Sequence, residues 1–217
     1  MTTTSPPSSS NRLFIGAVAA IVVIGLALVA VVASSGGDDV ETAAEQTAAV
    51  ELQGNALSPL PDGVNLGTAD TDPMVGTQAP VLTALDFAGN EVTIDADGRP
   101  KAVYFLAHWC PHCQEEVKVV QQLIDDGQLP DGLDLYAVST AVDQGAGNYP
   151  PEAWLIDEGF EPTTVRDDEA STAFQAFGGS GFPYVVSLDG DHNVLARTAG
   201  GLDAATMAAF WGNTAAG

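Results

Sequence analysis

Basic residues are scarce in this chain. Six Lys and Arg stand against 29 Asp and Glu, a formal net charge of −23 over 217 residues. Neutralising phosphates needs Lys and Arg, so nucleic-acid binding is excluded, and so is a polybasic membrane-surface role. Lysine occurs only at Lys101 and Lys118. Cysteine is scarcer still, at Cys110 and Cys113 alone. Two cysteines cannot build a disulfide-rich scaffold or a four-cysteine zinc site within one chain. No internal repeat is present, and the length allows one ordinary domain with residues to spare.

The charge is unevenly placed. Residues 1–33 hold no acid and one base, Arg12, so all 29 acids follow Ala33. Residues 1–12 are mostly Ser, Thr and Pro and predict a disordered tail. Residues 13–33 form an uncharged run of 21, rich in Val, Ala, Ile and Leu. About 20 such residues span a bilayer as a helix. The run predicts a transmembrane anchor, although Val31-Val32-Ala33 before Ser34 also reads as a signal cleavage site. Arg12 before it and Asp38, Asp39, Glu41 and Glu45 after it place the N-terminus in the cytoplasm and the rest outside. Residues 34–75 carry eight acids and no base; self-repulsion predicts an extended acidic linker, with a short helix near 41–52.

Residues 76–217 have the texture of a folded domain. The segments 81–87 and 91–94 flank Ala88-Gly89-Asn90 and predict a β-hairpin. The apolar run 102–106 predicts a strand buried on both faces. Pro111 suits the first turn of a helix over 111–126. Cys113, Val117, Val120 and Ile124 fall on one face of that helix. Strands are expected at 133–139, 163–165, 182–188 and 193–198, and helices at 152–158 and 169–177. A final helix, capped by Asp203, should carry Met207, Phe210 and Trp211 inward and end at Gly212. The fold class is α/β, a central mixed β-sheet flanked by helices and preceded by a single transmembrane helix.

The chemistry sits in Trp109-Cys110-Pro111-His112-Cys113, a Cys-x-x-Cys that opens a helix directly after a buried strand. A helix start presents unpaired N–H groups and the positive end of the dipole, which favour a thiolate at Cys110. Cys113, three residues on, lies on the buried face. Cys110 is then the attacking thiol and Cys113 the resolving one in disulfide exchange, with the Cys110–Cys113 disulfide as the redox group and no other cofactor. Other readings of the same residues stand beside this one. The pair could form a structural disulfide, or bind metal with His108 and His112 as a delivery module. A non-enzymatic binding domain could use the groove near Phe182 and Tyr184. Trp154 and Tyr149 could line a groove or pack a local helix, and His192 reads as structural.

The motif after a hydrophobic strand, with Gly181-Phe182-Pro183-Tyr184 opening a strand 73 residues beyond Cys110, resembles the thioredoxin superfamily. That resemblance implies a thioredoxin-like fold and a cis Phe182–Pro183 bond facing the dithiol. It also implies substrate docking beside Trp109, Pro111, His112 and Phe182. Gly76-Thr77-Gln78-Ala79-Pro80, followed by Leu85-Asp86-Phe87-Ala88-Gly89, is similar to the opening of TlpA/ResA-like and peroxiredoxin-like redoxins. Glu116 matches the glutamate of the ResA-like CxxCxxE pattern, which implies help with proton transfer; from the residues alone it could equally be a solvated helix acid beside Glu115. The implied activity is thiol–disulfide exchange with extracytoplasmic protein substrates, recycled by a membrane redox partner. Three departures stand out. Tyr104 replaces the buried aspartate of thioredoxin. Ala107 replaces the Thr or Ser that peroxiredoxins need. The Pro-His dipeptide is that of the oxidant DsbA, inside a reductase-type frame.

Overall fold

The computed structural model describes Met1 and residues 46–66 and 70–217. The expected tail, the expected span over 13–33 and its cleavage site lie outside the described residues. Among the described residues no helix is long and apolar enough to cross a membrane.

Among the described residues from Glu51 on, eight strands and four helices follow one another: β1 (Glu51–Gln53), β2 (Val81–Leu85), β3 (Glu91–Ile94), β4 (Lys101–Leu106), α1 (Pro111–Asp125), β5 (Asp134–Ser139), α2 (Pro151–Asp157), β6 (Thr163–Arg166), α3 (Thr172–Ala176), β7 (Tyr184–Leu188), β8 (Val194–Ala199) and α4 (Ala204–Ala216). The central sheet runs β6-β5-β4-β7-β8. Strands β4, β5 and β6 are parallel, whereas β7 pairs antiparallel with both β4 and β8, so the sheet is mixed. A second, three-stranded antiparallel sheet has the order β1-β2-β3.

Strand β4 lies at the centre and is buried along its whole length. Alternate residues point to opposite faces. Ala102, Tyr104 and Leu106 join the core built with Val117, Val120, Met207, Phe210 and Trp211, which come from α1 and α4. Val103 and Phe105 enter the other core, with Leu82, Ile94, Phe177 and Tyr184. Two apolar layers explain the unbroken hydrophobic run. Lys101, at the start of the strand, is fully buried but pairs with Asp97 and donates to the Arg99 carbonyl at 2.7 Å.

The hairpin, β4, β5, α2 and β6 form where the residue pattern places them, within a residue or two. Other elements differ. On α1 the buried positions include Glu116 and Leu123, while Ile124 is only partly covered. Helix α3 begins three residues later than expected, because Ser171 adopts a left-handed conformation (φ 58°). The Asp167 carboxylate then accepts the N–H groups of Ala173 (2.9 Å) and Phe174 (3.1 Å). Helix α4 is capped by Asp203 through the Thr206 N–H (2.8 Å), as expected, but runs through Gly212 to Ala216.

The described part of the expected acidic linker is not extended. Of the short helix expected near 41–52, residues 41–45 lie outside the described residues, Gln46 is helical and strand β1 takes over at Glu51; beyond it Leu57 and Leu60 are buried. The backbone N–H groups of Leu57 and Leu60 donate to the carbonyls of Ala176 and Gly178. Asp72 is fully buried and makes a two-pronged ion pair with Arg197, whose Nη1 also donates to the Ser58 carbonyl at 2.7 Å. Buried apolar side chains and one internal ion pair outweigh the repulsion that the charge count alone would suggest. Close approach of Ser58 and Arg197 requires Gly178 (φ +77°), since a Cβ there would overlap both.

Candidate functional site

Strand β4 ends at Leu106, and the chain reaches the first turn of α1 within a few residues. Cys110 is the residue before the helix, in extended conformation, with Pro111 as the first helical residue and no side chain capping the end. The N-terminal N–H groups and the positive end of the dipole therefore meet the Cys110 side chain with no competing acid in the first turn. Cys110 keeps 7% of its surface exposed and Cys113 none. Both are free thiols.

The two thiols have different surroundings. Cys110 Sγ points at the carbonyl oxygen of Phe182, 3.9 Å away. The Phe182–Pro183 bond is cis, as the resemblance implies, and a second cis bond, not expected, joins Tyr149 to Pro150. Cys113 Sγ accepts the Ala107 N–H at 3.5 Å. Burial pushes the Cys113 thiol far above its ordinary value, and the neighbouring Cys110 adds to that. Cys113 is held protonated until something removes its proton.

Glu116 is not a solvated acid. It is 1% exposed, while its neighbour Glu115 faces solvent. Oε2 accepts the Leu202 N–H at 3.0 Å, and Oε1 is buried without a hydrogen-bond partner. Burial pushes its carboxyl up to about 7, against the lowering effect of the Leu202 N–H. Its charge is felt at both Cys113 and Tyr104. Glu116 also lines a surface cavity of about 410 Å³ with His112, Val119, Gly200, Gly201 and Leu202. Leu202 enters the site through its backbone, which no side-chain motif reveals; the adjacent Gly200-Gly201 pair is the only sequence sign of a close approach there.

The aromatic residues surround the exposed thiol. The Trp109 indole N–H donates to the Ala141 carbonyl at 2.8 Å, and its ring meets Phe182 edge-on at 5.9 Å. Phe182 stacks on Phe174 at 4.6 Å. Phe174, missed in the sequence, is brought there by α3. His112 is exposed, its Nδ1 3.6 Å from Glu115. Pro111 is exposed beside it.

Tyr104, in the place of thioredoxin's aspartate, is sealed beneath. Its hydroxyl accepts from the Trp211 indole at 2.5 Å and donates to Met207 Sδ at 3.1 Å. Burial holds its phenol protonated at all ordinary pH. His108 is buried, and backbone groups occupy both ring nitrogens. It is thus unavailable to the metal reading of the motif, and among the described residues no three His, Cys, Asp or Glu side chains cluster as ligands. Trp154 packs in the core rather than lining a groove, and His192 is buried against the Pro80 carbonyl.

The chain resembles several solved structures. StoA from Bacillus subtilis is 18% identical, with 64% of this chain and 99% of that chain covered and a TM-score of 0.52. A thiol:disulfide interchange protein of the thioredoxin family from Chlorobium tepidum is 20% identical, with 65% and 97% covered and a TM-score of 0.52. The thioredoxin domain of a thiol-disulfide oxidoreductase from Bacteroides vulgatus is 21% identical, with 63% and 96% covered and a TM-score of 0.50. At such identities the likeness is one of fold. No curated protein is matched by sequence. The profile of the thioredoxin-like domain family matches residues 88–214, from the first hairpin to the last helix and across both Cys110 and Pro183. The chain belongs to the thioredoxin-like domain family.

Proposed function

We propose that the protein is a thiol–disulfide oxidoreductase acting on protein substrates. The observation that carries this reading is the asymmetry of the two thiols. Cys110 is reachable, at a helix start, facing the carbonyl of the cis-proline loop, while Cys113 is sealed behind it. In the reducing direction the Cys110 thiolate attacks a substrate disulfide. One sulfur–sulfur bond forms as another breaks, and a substrate thiolate leaves. Cys113 gives up its proton and attacks Cys110 in the mixed disulfide. The second substrate thiol departs, and the Cys110–Cys113 disulfide keeps the oxidising equivalent. Two electrons pass from the dithiol to the substrate. The reverse sequence oxidises a substrate dithiol.

Glu116 is the proton acceptor for Cys113 in this scheme. Its carboxyl, raised to about 7, can take and return a proton at neutral pH. Trp109, Pro111, His112, Phe182 and Pro183 form the rim against which the substrate segment docks. The neighbours named as thiol-disulfide oxidoreductases and interchange proteins support the same chemistry by analogy of fold.

Residues 13–33 anchor the protein, with the N-terminus in the cytoplasm and the domain outside, a reading supported by the uncharged run and by Arg12 before it against the acids after it; a membrane redox partner resets the dithiol. Turnover of an insulin-type disulfide substrate by the full chain, lost in both Cys110→Ser and Cys113→Ser, tests the chemistry. Retention in membranes after alkaline extraction, with the domain open to protease from outside, tests the placement. Full turnover without either cysteine refutes the reading.

A further inference from the structure

The loop over 141–149 lies beside the cysteine pair and has no regular structure of its own; Ala141 and Asn148 both have positive φ. One side chain holds it at two points. His108 Nδ1 is 2.9 Å from the Gly147 carbonyl, and His108 Nε2 accepts the Asp143 N–H at 3.1 Å. The backbone of the same residue adds two more ties. Its carbonyl accepts from Gln114 on α1 (2.9 Å) and from Asn148 on the loop (3.3 Å). Tyr149 packs edge-on to the imidazole at 6.0 Å. The loop in turn fixes the rim of the site, because Trp109 donates to the Ala141 carbonyl and the Ala141 N–H donates to Ser171 Oγ at 3.3 Å.

This pairing specifies a protonation state. A backbone N–H can only donate, so Nε2 must be bare, and Nδ1 carries the proton to the Gly147 carbonyl. A proton on Nε2 would set two donors face to face. We propose that His108 is a positioning residue whose neutral imidazole clasps the 141–149 loop, and that protonation of the ring releases the loop together with the Trp109 anchor.

The surroundings favour the neutral ring at neutral pH. Burial lowers the His108 pKa and outweighs the opposing effects of the Gly147 carbonyl and the Asp143 charge. Asp143, on the loop, is the charged group that acts on the ring. Tyr149 on the loop and Gln114 on α1 are other side chains that meet His108, and the His112–Glu115 pair of α1 is turned to solvent. A histidine with a lowered folded-state pKa supports the closed loop above about 6.5 and loses that support as pH falls through the folded value. The consequence for turnover rests on the thiol–disulfide reading; the clasp itself does not.

Hydrogen–deuterium exchange of the full chain in detergent, from pH 7.5 to 4.5 and corrected for intrinsic rates, tests it. Exchange over 141–149 should rise at least about tenfold on acidification, the factor that goes with one lost hydrogen bond, while β5 stays protected. Asp143→Asn should move the transition to lower pH. His108→Asn keeps a donor toward Gly147 without an acceptor for Asp143, so its loop should exchange fast already at pH 7.5 and show no transition. Protection that is independent of pH in the wild type overturns the proposal, as does a wild-type profile in His108→Asn. Should His108→Asn not fold, the wild-type transition and its displacement in Asp143→Asn decide. Release of the loop in a chain without disulfide turnover would leave the clasp standing and refute the oxidoreductase reading; turnover without release would do the opposite.

Discussion

The thiol of Cys110 faces the carbonyl oxygen of Phe182 across 3.9 Å, joining two points 72 residues apart in the chain. Sheet topology makes the meeting. Strand β4, which leads to Cys110, pairs antiparallel with β7, which begins just after Pro183, and Phe105 lies opposite Tyr184. The end of one strand and the start of its neighbour are thus side by side, with a helix start on one and a cis-proline on the other.

The exposure difference predicts an order of reactivity. In the reduced protein, an alkylating agent should modify Cys110 at least about tenfold faster than Cys113, since Cys110 is reachable while Cys113 is sealed and held protonated by burial. Mass mapping of labelled peptides after short exposures checks this.

Glu116 should make stability depend on pH. Its carboxyl is raised from 4.5 to about 7 in the folded protein, so the folded state holds the proton more tightly than the unfolded chain. Stability from this group is full below about 4.5 and falls as pH rises to about 7, by up to about 3 kcal/mol. Glu116→Gln should remove that slope in denaturant titrations. It should also slow the resolving step, seen as a longer-lived mixed disulfide in single-turnover experiments.

The Asp72–Arg197 pair should behave as a buried charge pair. Burial opposes ionisation of Asp72, but its bonds to Arg197 prevail and hold its pKa below the ordinary carboxylate range. Its contribution is present above about 3.9 and is lost as pH falls through the folded value. Removing one partner, as in Asp72→Asn or Arg197→Met, should cost about 3–5 kcal/mol, and the double variant less than the two losses added together. Denaturant titration of the four proteins provides the cycle.

Gly179 should resist substitution. A Cβ there would overlap the Phe174 ring, which is held by its stack on Phe182. Gly179→Ala should destabilise by about 1–3 kcal/mol, and Phe174→Leu in the same chain should restore part of the loss. Thermal unfolding of the single and double variants decides.

Much of the fold is legible in the residues because its signals are local. The run over 102–106 announces a doubly buried strand. Pro111 and the apolar spacing after it announce α1, and Asp203 announces the cap of α4. The Cys110–Cys113 pair and the Pro183 turn are equally local. What composition hides depends on distant partners. Glu116 and Glu115 are the same residue type in adjacent positions, and only the Leu202 loop makes one buried and the other wet. His108 looks like any histidine before a helix until the 141–149 loop closes on it. Asp72 counts as one more acid in a repulsive stretch, yet Arg197, 125 residues away, turns it into an internal anchor. The start of α3 fails for a similar reason: Asp167, outside the helical pattern, fixes the first turn.

The central claim is that Cys110 attacks and Cys113 resolves, and one experiment reaches it directly. The full-length Cys113→Ser protein, reduced and mixed with a disulfide-bonded protein substrate, is quenched with acid and resolved without reductant. A covalent adduct that accumulates, maps to Cys110, and is absent in both the wild type and Cys110→Ser is the predicted result. No adduct from Cys113→Ser under conditions where the wild type turns over would contradict the account.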